Sequence, residues 1–344
     1  MTATPSFDAK VLLGSIAGGR TLSQDEVFEG LDRMTAGEAT PAQMGAFLMG
    51  LRVRGETVDE LTGAARLLRM RMLPVVAPEG AVDIVGTGGD GLKTYNVSTC
   101  AAFVAAGAGL TVAKHGNRSV SSLSGASDVL TALGVKIDLN SGQIASVIDQ
   151  AGVGFLWAPM HHPAMKVWAP IRAELGLRTL FNLMGPICNP ANVERQVVGV
   201  FAADWVEPIA QVLGRLGSRH AWVVHGRDGL DELSTTGPTL VAELRGGAVT
   251  MFEVSPEDAG LPRASIADLK GGDAAANAAA LRDVLCGAKG AYRDIVLMNA
   301  GAALVVGGKA ADLLDGVGLA AAAIESGAAR AALERLVSAS NSVS

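Results

Sequence analysis

Two stretches of this 344-residue chain combine residue types and spacings that can do chemistry. In the first, Val82-Asp83-Ile84-Val85-Gly86-Thr87-Gly88-Gly89-Asp90-Gly91, a glycine-rich turn follows directly on a β-branched run. Free backbone N–H groups in such a turn converge on phosphate oxygens, and glycine lets the ligand approach closely. The second is the densest polar cluster in the chain, Lys114-His115-Gly116-Asn117-Arg118-Ser119-Val120-Ser121-Ser122. Two cations, an imidazole, an amide and three hydroxyls within nine positions form an anion cage, whereas a merely solvated loop is built of small polar residues. Between them, Asn96-Val97-Ser98-Thr99 precedes an alanine-rich stretch. These residues read as ordinary helix N-capping, and a helix start there also adds its positive end to the site, with the Ser98 hydroxyl able to ligate a hard cation.

The glycine loop alone is ambiguous. Gly86, Gly88 and Gly91 satisfy the dinucleotide pattern GxGxxG, and a tight turn would look the same. A dinucleotide fingerprint needs an acidic residue about twenty positions on, to hold the ribose. After Asp90 the next acidic residue is Asp128, and the strand expected at Leu110–Ala113 ends in Lys114 instead. That favours phosphate over a nicotinamide cofactor. A nucleotide-triphosphate P-loop is excluded, because Leu92 intervenes before Lys93-Thr94.

The elements that must position these residues fall into two kinds. Over the first seventy or so residues, Ser23-x-x-Glu26, Thr40-Pro41-x-Gln43 and Thr57-x-x-Glu60 are helix-start signatures, each followed by apolar residues at helical spacing. Met44, Phe47, Leu48 and Leu51 then line one helix face that wants a partner. Pro74 and Ala77-Pro78-Glu79-Gly80 end this grammar, and from Val82 short β-branched runs alternate with alanine-rich stretches. The fold expected is a small all-helical region, 1–75, and an α/β unit, 76–344, with a mostly parallel central sheet flanked by helices. Strands are expected at Val82–Val85, Leu110–Ala113, Gly154–Ala158, Gln196–Ala202 and His220–His225. Thr239–Val254 reads as an edge hairpin turning at Gly246-Gly247. Helices are expected near Ser98–Ala108, Ser127–Leu133, Ser141–Gln150 and Val206–Leu216, then Asp273–Leu285, Arg293–Gly307 and Leu319–Leu336.

Composition narrows the function classes. A formal net charge of -6 gives no general attraction to nucleic acid or an anionic membrane, so a polyanionic ligand must be met by local groups. Cys100, Cys188 and Cys286 have no CxxC spacing and read as buried small hydrophobes of a reducing compartment. The N-terminus carries no basic and apolar export signal, and Cys100–Ala113 and Ile295–Gly308 fall short of a membrane span, so a cytoplasmic protein is expected.

Gly-Thr-Gly-Gly-Asp, Asn-x-Ser-Thr and Lys-His-Gly-Asn-Arg-x-x-Ser-Ser, in this order and spacing, closely resemble the anthranilate phosphoribosyltransferases of tryptophan biosynthesis, in the nucleoside phosphorylase/phosphoribosyltransferase superfamily. The resemblance spans nearly the whole chain. It takes in Ala46–Arg52, His162-Pro163-Ala164-Met165-Lys166, Arg172, Phe181–Ala191 and Gly229-Leu230-Asp231-Glu232.

What the resemblance implies is specific. Phosphoribosyl pyrophosphate would be bound by Gly86, Thr87, Gly88, Gly89, Asp90, Thr94, Asn96, Val97, Ser98, Thr99, Lys114, Gly116, Asn117, Arg118, Ser119 and Ser122, with a hydroxyl contact at position 126. Asp231 and Glu232, otherwise readable as a solvated acidic turn, would hold Mg²⁺ together with Ser98. Arg172, otherwise a helix-surface residue, would clamp the anthranilate carboxylate with its planar fork. Asn117 and His162 would line the acceptor's path, and Gly185 and Pro186 would shape its pocket. Lys114, His115, Asn117 and Arg172 are the catalytic candidates, although a lone histidine such as His115 is more often a hydrogen-bonded structural residue than an acid or base. The reaction implied is displacement of pyrophosphate from ribose C1 by the aromatic amine, with inversion and an oxocarbenium-like transition state. The helical region would be joined in space by helices from about 163–190 and form a symmetric dimer. Two rivals share the architecture. A pyrimidine nucleoside phosphorylase is disfavoured by Gly116-Asn117-Arg118 and Arg172, and a non-catalytic nucleic-acid-binding homologue by the acidic charge and the Asp231-Glu232 pair.

Overall fold

A computed structural model of the chain describes residues 7–118 and 124–343. The N-terminal region is helical: α1 (Ala9–Ala17), α2 (Gln24–Thr35), α3 (Pro41–Arg54) and α4 (Val58–Arg71). The three expected start signatures all form reciprocal capping boxes, Ser23 with Glu26, Thr40 with Gln43 and Thr57 with Glu60. Helix α1 has no such signature and was not expected; Asp8 caps it by accepting the Lys10 N–H at 2.8 Å. The apolar face of α3 finds its partners in α1 and in a later helix, α9 (Met165–Leu175), and Met44, Phe47, Leu48 and Leu51 are all buried. Each such side chain contributes about 1.5–3 kcal/mol by leaving water.

The rest of the chain is β1 (Val82–Gly86), α5 (Val97–Gly107), β2 (Val112–Gly116), α6 (Ala126–Ala132), α7 (Ser141–Ala151), β3 (Val153–Trp157), α8 (Ala158–His161), α9 (Met165–Leu175), α10 (Phe181–Ile187), β4 (Arg195–Gly199), α11 (Val206–Arg215), β5 (His220–Gly226), β6 (Thr239–Arg245), β7 (Ala248–Val254), α12 (Ala274–Leu285), α13 (Ala291–Val306), α14 (Leu313–Glu325) and α15 (Ala328–Ser342). The strands form one seven-stranded sheet in the order β3-β2-β1-β4-β5-β6-β7. The first five run parallel, and β6 and β7 add an antiparallel hairpin at the edge, turning at Gly246-Gly247 as expected.

Both faces of the sheet are covered, as continuous apolar strands require. On one side Ile84, Val112, Val197 and Val224 pack into a core shared with α5, α7, α13 and α15. On the other, Val85, Val198 and Val223 join a core that contains the helices α1–α4 together with Trp168 of α9, Phe181 of α10 and Leu213 of α11. The Trp168 indole N–H donates to Thr35 Oγ1 at 2.9 Å, tying α9 to α2.

Several expectations need correction. Strand β2 begins two residues later than the apolar run and continues through Gly116, so Lys114 and His115 lie within the strand rather than in the loop after it. Strand β4 is Arg195–Gly199, shorter than the run to Ala202. The single helix expected over Leu319–Leu336 is two helices, because Gly327 adopts a left-handed φ of +77° and breaks the alanine-rich pattern between α14 and α15. Cys100 and Cys188 are buried as expected, but Cys286 sits exposed at the C-cap of α12.

Candidate functional site at the sheet switch point

The strand order reverses between β1 and β4, the place where open α/β sheets leave a crevice beyond their carboxyl ends. Gly86 ends β1 and Gly199 ends β4. The turn after β5 brings Asp231 over both. A Cβ on Gly86 would collide with the Asp231 carboxylate, and one on Gly199 would overlap the Asp231 backbone carbonyl. Beyond β1 the chain bends through Gly88, Gly89 and Gly91 with φ of +68°, +82° and +76°, values that L side chains rarely adopt. This bend presents the Gly88 N–H to Asp231 Oδ2 at 2.6 Å.

Glu232 faces the start of α5, where its Oε1 accepts the Ser98 N–H at 3.1 Å. Lys114, buried in β2, donates from Nζ to the Ile84 carbonyl at 2.6 Å and to Ser98 Oγ at 3.2 Å. Burial holds the Asp231 carboxyl well above the ordinary carboxylate range, reinforced by Asp90 beside it; Glu232 is raised by burial and then by Asp231. The Lys114 ammonium is pulled down by burial against the opposing pull of Asp83, Glu232 and Asp231. Two crowded carboxylates beside a serine hydroxyl are a hard-oxygen donor set. Among the described residues no three His, Cys, Asp or Glu side chains form a self-sufficient metal cage. Such a set fits Mg²⁺, which is held by one or two carboxylates plus phosphate oxygens and water.

On the other side of β2 lies the candidate acceptor region. His115 Nδ1 is 2.8 Å from the Gly185 carbonyl, so that nitrogen carries the proton, and Nε2 is buried without a hydrogen-bond partner. The His162 ring lies 5.2 Å from the His115 ring, and its Nε2 is likewise unpartnered. Burial lowers His115 to about 3 and His162 to about 4, so both imidazoles are neutral at working pH. Arg172, on α9, stacks over Phe181 at 5.7 Å and pairs with no carboxylate among the described residues. Gly185 and Pro186 lie in α10, which begins at that same Phe181.

Other sequence candidates have structural partners. Thr87 Oγ1 accepts the Phe201 N–H at 3.1 Å, and Asp90 Oδ1 accepts the Leu92 N–H at 3.1 Å. Thr94 bridges to Lys270, and Asn96 Oδ1 accepts from Asn277 at 2.9 Å. The Val97 and Thr99 side chains are buried, which leaves their backbone N–H groups at the start of α5. Gly116 gives room to Phe155. Asn117 is exposed and accepts the Arg118 N–H at its own Oδ1, 2.8 Å, while Arg118 lies over Trp157 at 5.7 Å. Ser119 and Ser122 lie outside the described residues. The hydroxyl expected at position 126 does not exist, because the residue is Ala126, the first of α6; the hydroxyls nearby are Ser124 and Ser127.

Four further residues that shape the site carry no local signal in the sequence. Gly199 admits Asp231. Asn299 grips the backbone of Leu233 from α13, accepting its N–H at 3.0 Å and donating to its carbonyl at 2.8 Å, and so fixes the acidic turn. Asn277 joins Asn96 to Ser124. Arg178, stacked over Phe201 at 4.5 Å, donates to the Gly89 carbonyl and ties the segment between α9 and α10 to the glycine loop. All four act on residues far away in sequence, which local spacing cannot reveal.

This two-part architecture is that of a glycosyl transferase: residues 10–72 match the glycosyl transferase family's helical bundle domain and residues 78–330 its α/β domain. A Rhodopseudomonas palustris (strain TIE-1) anthranilate phosphoribosyltransferase is 61% identical over 97% of this chain and 98% of its own length, and one from Parvibaculum lavamentivorans is 60% identical over 97% and 98%. The chain belongs to the anthranilate phosphoribosyltransferase family. Among solved structures, the Thermus thermophilus enzyme superposes with a TM-score of 0.91 at 42% identity, covering 98% of this chain and 100% of that one. The Saccharomyces cerevisiae enzyme in complex with phosphoribosyl pyrophosphate and Mg has a TM-score of 0.89 at 28% identity over 97% of this chain and 98% of that one. Another structure of the yeast enzyme holds 4-fluoroanthranilate.

Proposed function

We propose that this chain transfers the phosphoribosyl group of 5-phosphoribosyl 1-pyrophosphate to the amine of anthranilate, giving N-(5-phosphoribosyl)anthranilate and pyrophosphate, a step of tryptophan biosynthesis. The observation that carries the reading is the meeting of the Gly86–Asp90 loop with Asp231 at the β1/β4 switch point, with Glu232, Ser98 and Lys114 alongside.

In this reading the glycine-loop N–H groups and the start of α5 bind the pyrophosphate. Asp231, Glu232 and Ser98 hold Mg²⁺, which supplies neutralisation of the negative charge that builds on the leaving group. Lys114 holds Ser98 in place and adds positive potential where that charge develops. Arg172 receives the anthranilate carboxylate on a guanidinium that has no competing anion in the described chain. Asn117 and His162 line the path, and Gly185 and Pro186 form the wall. The aromatic amine arrives unprotonated, so no covalent nucleophile is needed. After the C–N bond forms, the amine proton can pass to a neutral imidazole lone pair, His115 Nε2 or His162 Nε2. The protein's main contributions are orientation and exclusion of water, with residues 1–75 and the helices of about 163–190 closing on the α/β unit of 76–344.

The chain also works as a cytoplasmic homodimer in this reading, associating through its helical region, where Val11 and Val53 stand exposed. No helix among the described residues is long and apolar enough to cross a membrane. Loss of anthranilate fluorescence, requiring both Mg²⁺ and phosphoribosyl pyrophosphate and matched by pyrophosphate release, is the expected result. Consumption of thymidine with inorganic phosphate, and none of anthranilate, would establish the nucleoside phosphorylase alternative instead.

A further inference from the structure

The ladder between β1 and β2 opens at the site. β1 pairs with β4 through five residues, from Val82–Arg195 to Gly86–Gly199, but its register with β2 is the single pair Val82–Val112. Three side chains span the divergence: Lys114 of β2 reaches the Ile84 carbonyl of β1, and Asp83 and Asn189 take up the rest. Asp83 of β1 accepts the His115 N–H of β2 at Oδ1, 3.1 Å, and the Asn189 amide at Oδ2, 2.7 Å. The same Asn189 Nδ2 donates to the Ala113 carbonyl of β2 at 2.8 Å, and Asn189 Oδ1 accepts the Ala191 N–H at 2.7 Å. The pair therefore takes up backbone groups that the missing ladder would leave unsatisfied. Asp83 is fully buried and Asn189 is 1% exposed.

This wedge sits behind Gly185–Cys188, the last turn and C-cap of α10. His115, whose backbone Asp83 holds, donates from Nδ1 to the Gly185 carbonyl. From β4, the fully buried Gln196 donates from Nε2 to the Pro186 carbonyl at 2.9 Å. Three adjacent strands thus each commit one buried polar side chain to this turn or to the Asn189 that ends it. Burial raises the Asp83 carboxyl to about 6, against the pull of Lys114 and its hydrogen bonds. A sealed carboxylate is a poor way to gain stability, since an apolar pair of similar volume often does as well or better. Its geometric precision is what apolar packing cannot replace.

We propose that Asp83 and Asn189 are a positioning pair for the acceptor. They wedge β1 from β2 and fix the Gly185–Cys188 backbone against His115, setting the width of the pocket that receives the aromatic amine. The inference rests on the function proposed above. It predicts that disturbing the pair harms use of the acceptor and spares binding of the phosphoribosyl donor.

The test compares Asp83→Asn, Asn189→Asp and the double exchange, with Gln196→Leu as a variant that leaves the wedge in place. In each single exchange two like groups face each other; the double exchange restores the donor–acceptor pair between the two side chains but gives up the bond to the Ala113 carbonyl. Misplacement near the reacting atoms has large effects on turnover, so each single exchange should raise KM for anthranilate about ten-fold or more. The Kd for phosphoribosyl pyrophosphate with Mg²⁺, measured by calorimetry, should change by less than the acceptor KM, about two- to three-fold at most, because the pair bears on the donor side only through the pull of Asp83 on Lys114. The double exchange should recover part of the acceptor KM, since the side-chain pair returns while the Ala113 carbonyl stays without its donor. Gln196→Leu, which removes only the bond to the Pro186 carbonyl, should show a smaller rise of the same kind, and if the single exchanges fail to fold the double exchange carries the test. Equal loss for both substrates, no loss, or a double exchange as poor as the two singles combined overturns the proposal. A wild-type protein that does not consume anthranilate overturns the functional reading itself, which these variant comparisons distinguish from failure of the wedge.

Discussion

Asp231 Oδ2 accepts the Gly88 backbone N–H at 2.6 Å, joining a loop and an acidic turn 143 residues apart in sequence. The same N–H is one that a pyrophosphate oxygen would seek, so Asp231 and the substrate compete for it. A cation held by the Asp231 carboxylate, as proposed above, would free that donor and so couple metal binding to the phosphate cradle.

Replacing the pair as Asp231→Asn with Glu232→Gln preserves shape and removes both charges. Activity should fall about 10²-fold or more, the scale set by losing a major electrostatic contribution to a transition state. The dependence on Mg²⁺ concentration should flatten, while circular dichroism and the thermal midpoint show a folded protein. Unchanged kinetics would remove the pair from the mechanism.

Gly199 sits under the Asp231 carbonyl with no room for a methyl group. Gly199→Ala must displace the acidic turn, so activity should drop about 10²-fold, with a loss of stability of about 1–3 kcal/mol. Gly237→Ala is the control, because a Cβ there meets nothing within 4 Å. Denaturant titration and steady-state rates on the two variants check this directly.

Arg172 is held over Phe181 and is partly buried, with a guanidinium pKa lowered by that burial. Arg172→Lys keeps a charge and loses the two-pronged fork. KM for anthranilate should rise about ten-fold, corresponding to loss of one charge-assisted hydrogen bond, with KM for the donor little changed. A uniform fall in kcat with both KM values intact would contradict the clamp.

The neutral histidines yield a pH prediction with a definite sign. His162 has a folded value of about 4, below the value of about 6.5 expected in the unfolded chain. The unfolded state therefore binds the extra proton first as pH falls. The stability this group contributes is fully present above about pH 6.5 and is lost on descending to about 4, by up to about 3 kcal/mol. His162→Asn should remove that slope relative to wild type when unfolding free energies are measured across the window. The wild-type pH–rate profile should show no inflection near 6.5 from either His162 or His115; an inflection that His162→Asn abolishes would show that the imidazole titrates in the working enzyme.

Much of the donor side is legible in the sequence because it is local. A glycine turn after an apolar strand, a helix start at Asn96–Thr99 and the Lys114 cluster each declare themselves within about ten residues, although Asn96 does not cap α5 with its side chain, whose Oδ1 accepts from Asn277 instead. The capping boxes at Ser23, Thr40 and Thr57 are legible for the same reason. The parts that escape are contacts made by folding. Nothing near Gly199 says that Asp231 will cross it, and nothing near Asn299 or Arg178 points to Leu233 or Gly89. Asp83 reads as one polar residue in a strand until the divergence of β1 from β2 shows what it fills. Gly327 is invisible as a helix break because so many glycines in alanine-rich helices, such as Gly301 and Gly316, instead mark close packing of α13 on α14.

The most direct test of the phosphate cradle is a crystal structure with phosphoribosyl pyrophosphate and Mg²⁺ bound. The pyrophosphate is expected at the β1/β4 switch point, hydrogen-bonded to N–H groups of the Gly86–Asp90 loop, with Asp231 and Glu232 on the metal side and the Asp231–Gly88 bond broken. A pyrophosphate seated elsewhere, or an Asp231–Gly88 bond that survives in the complex, would contradict it.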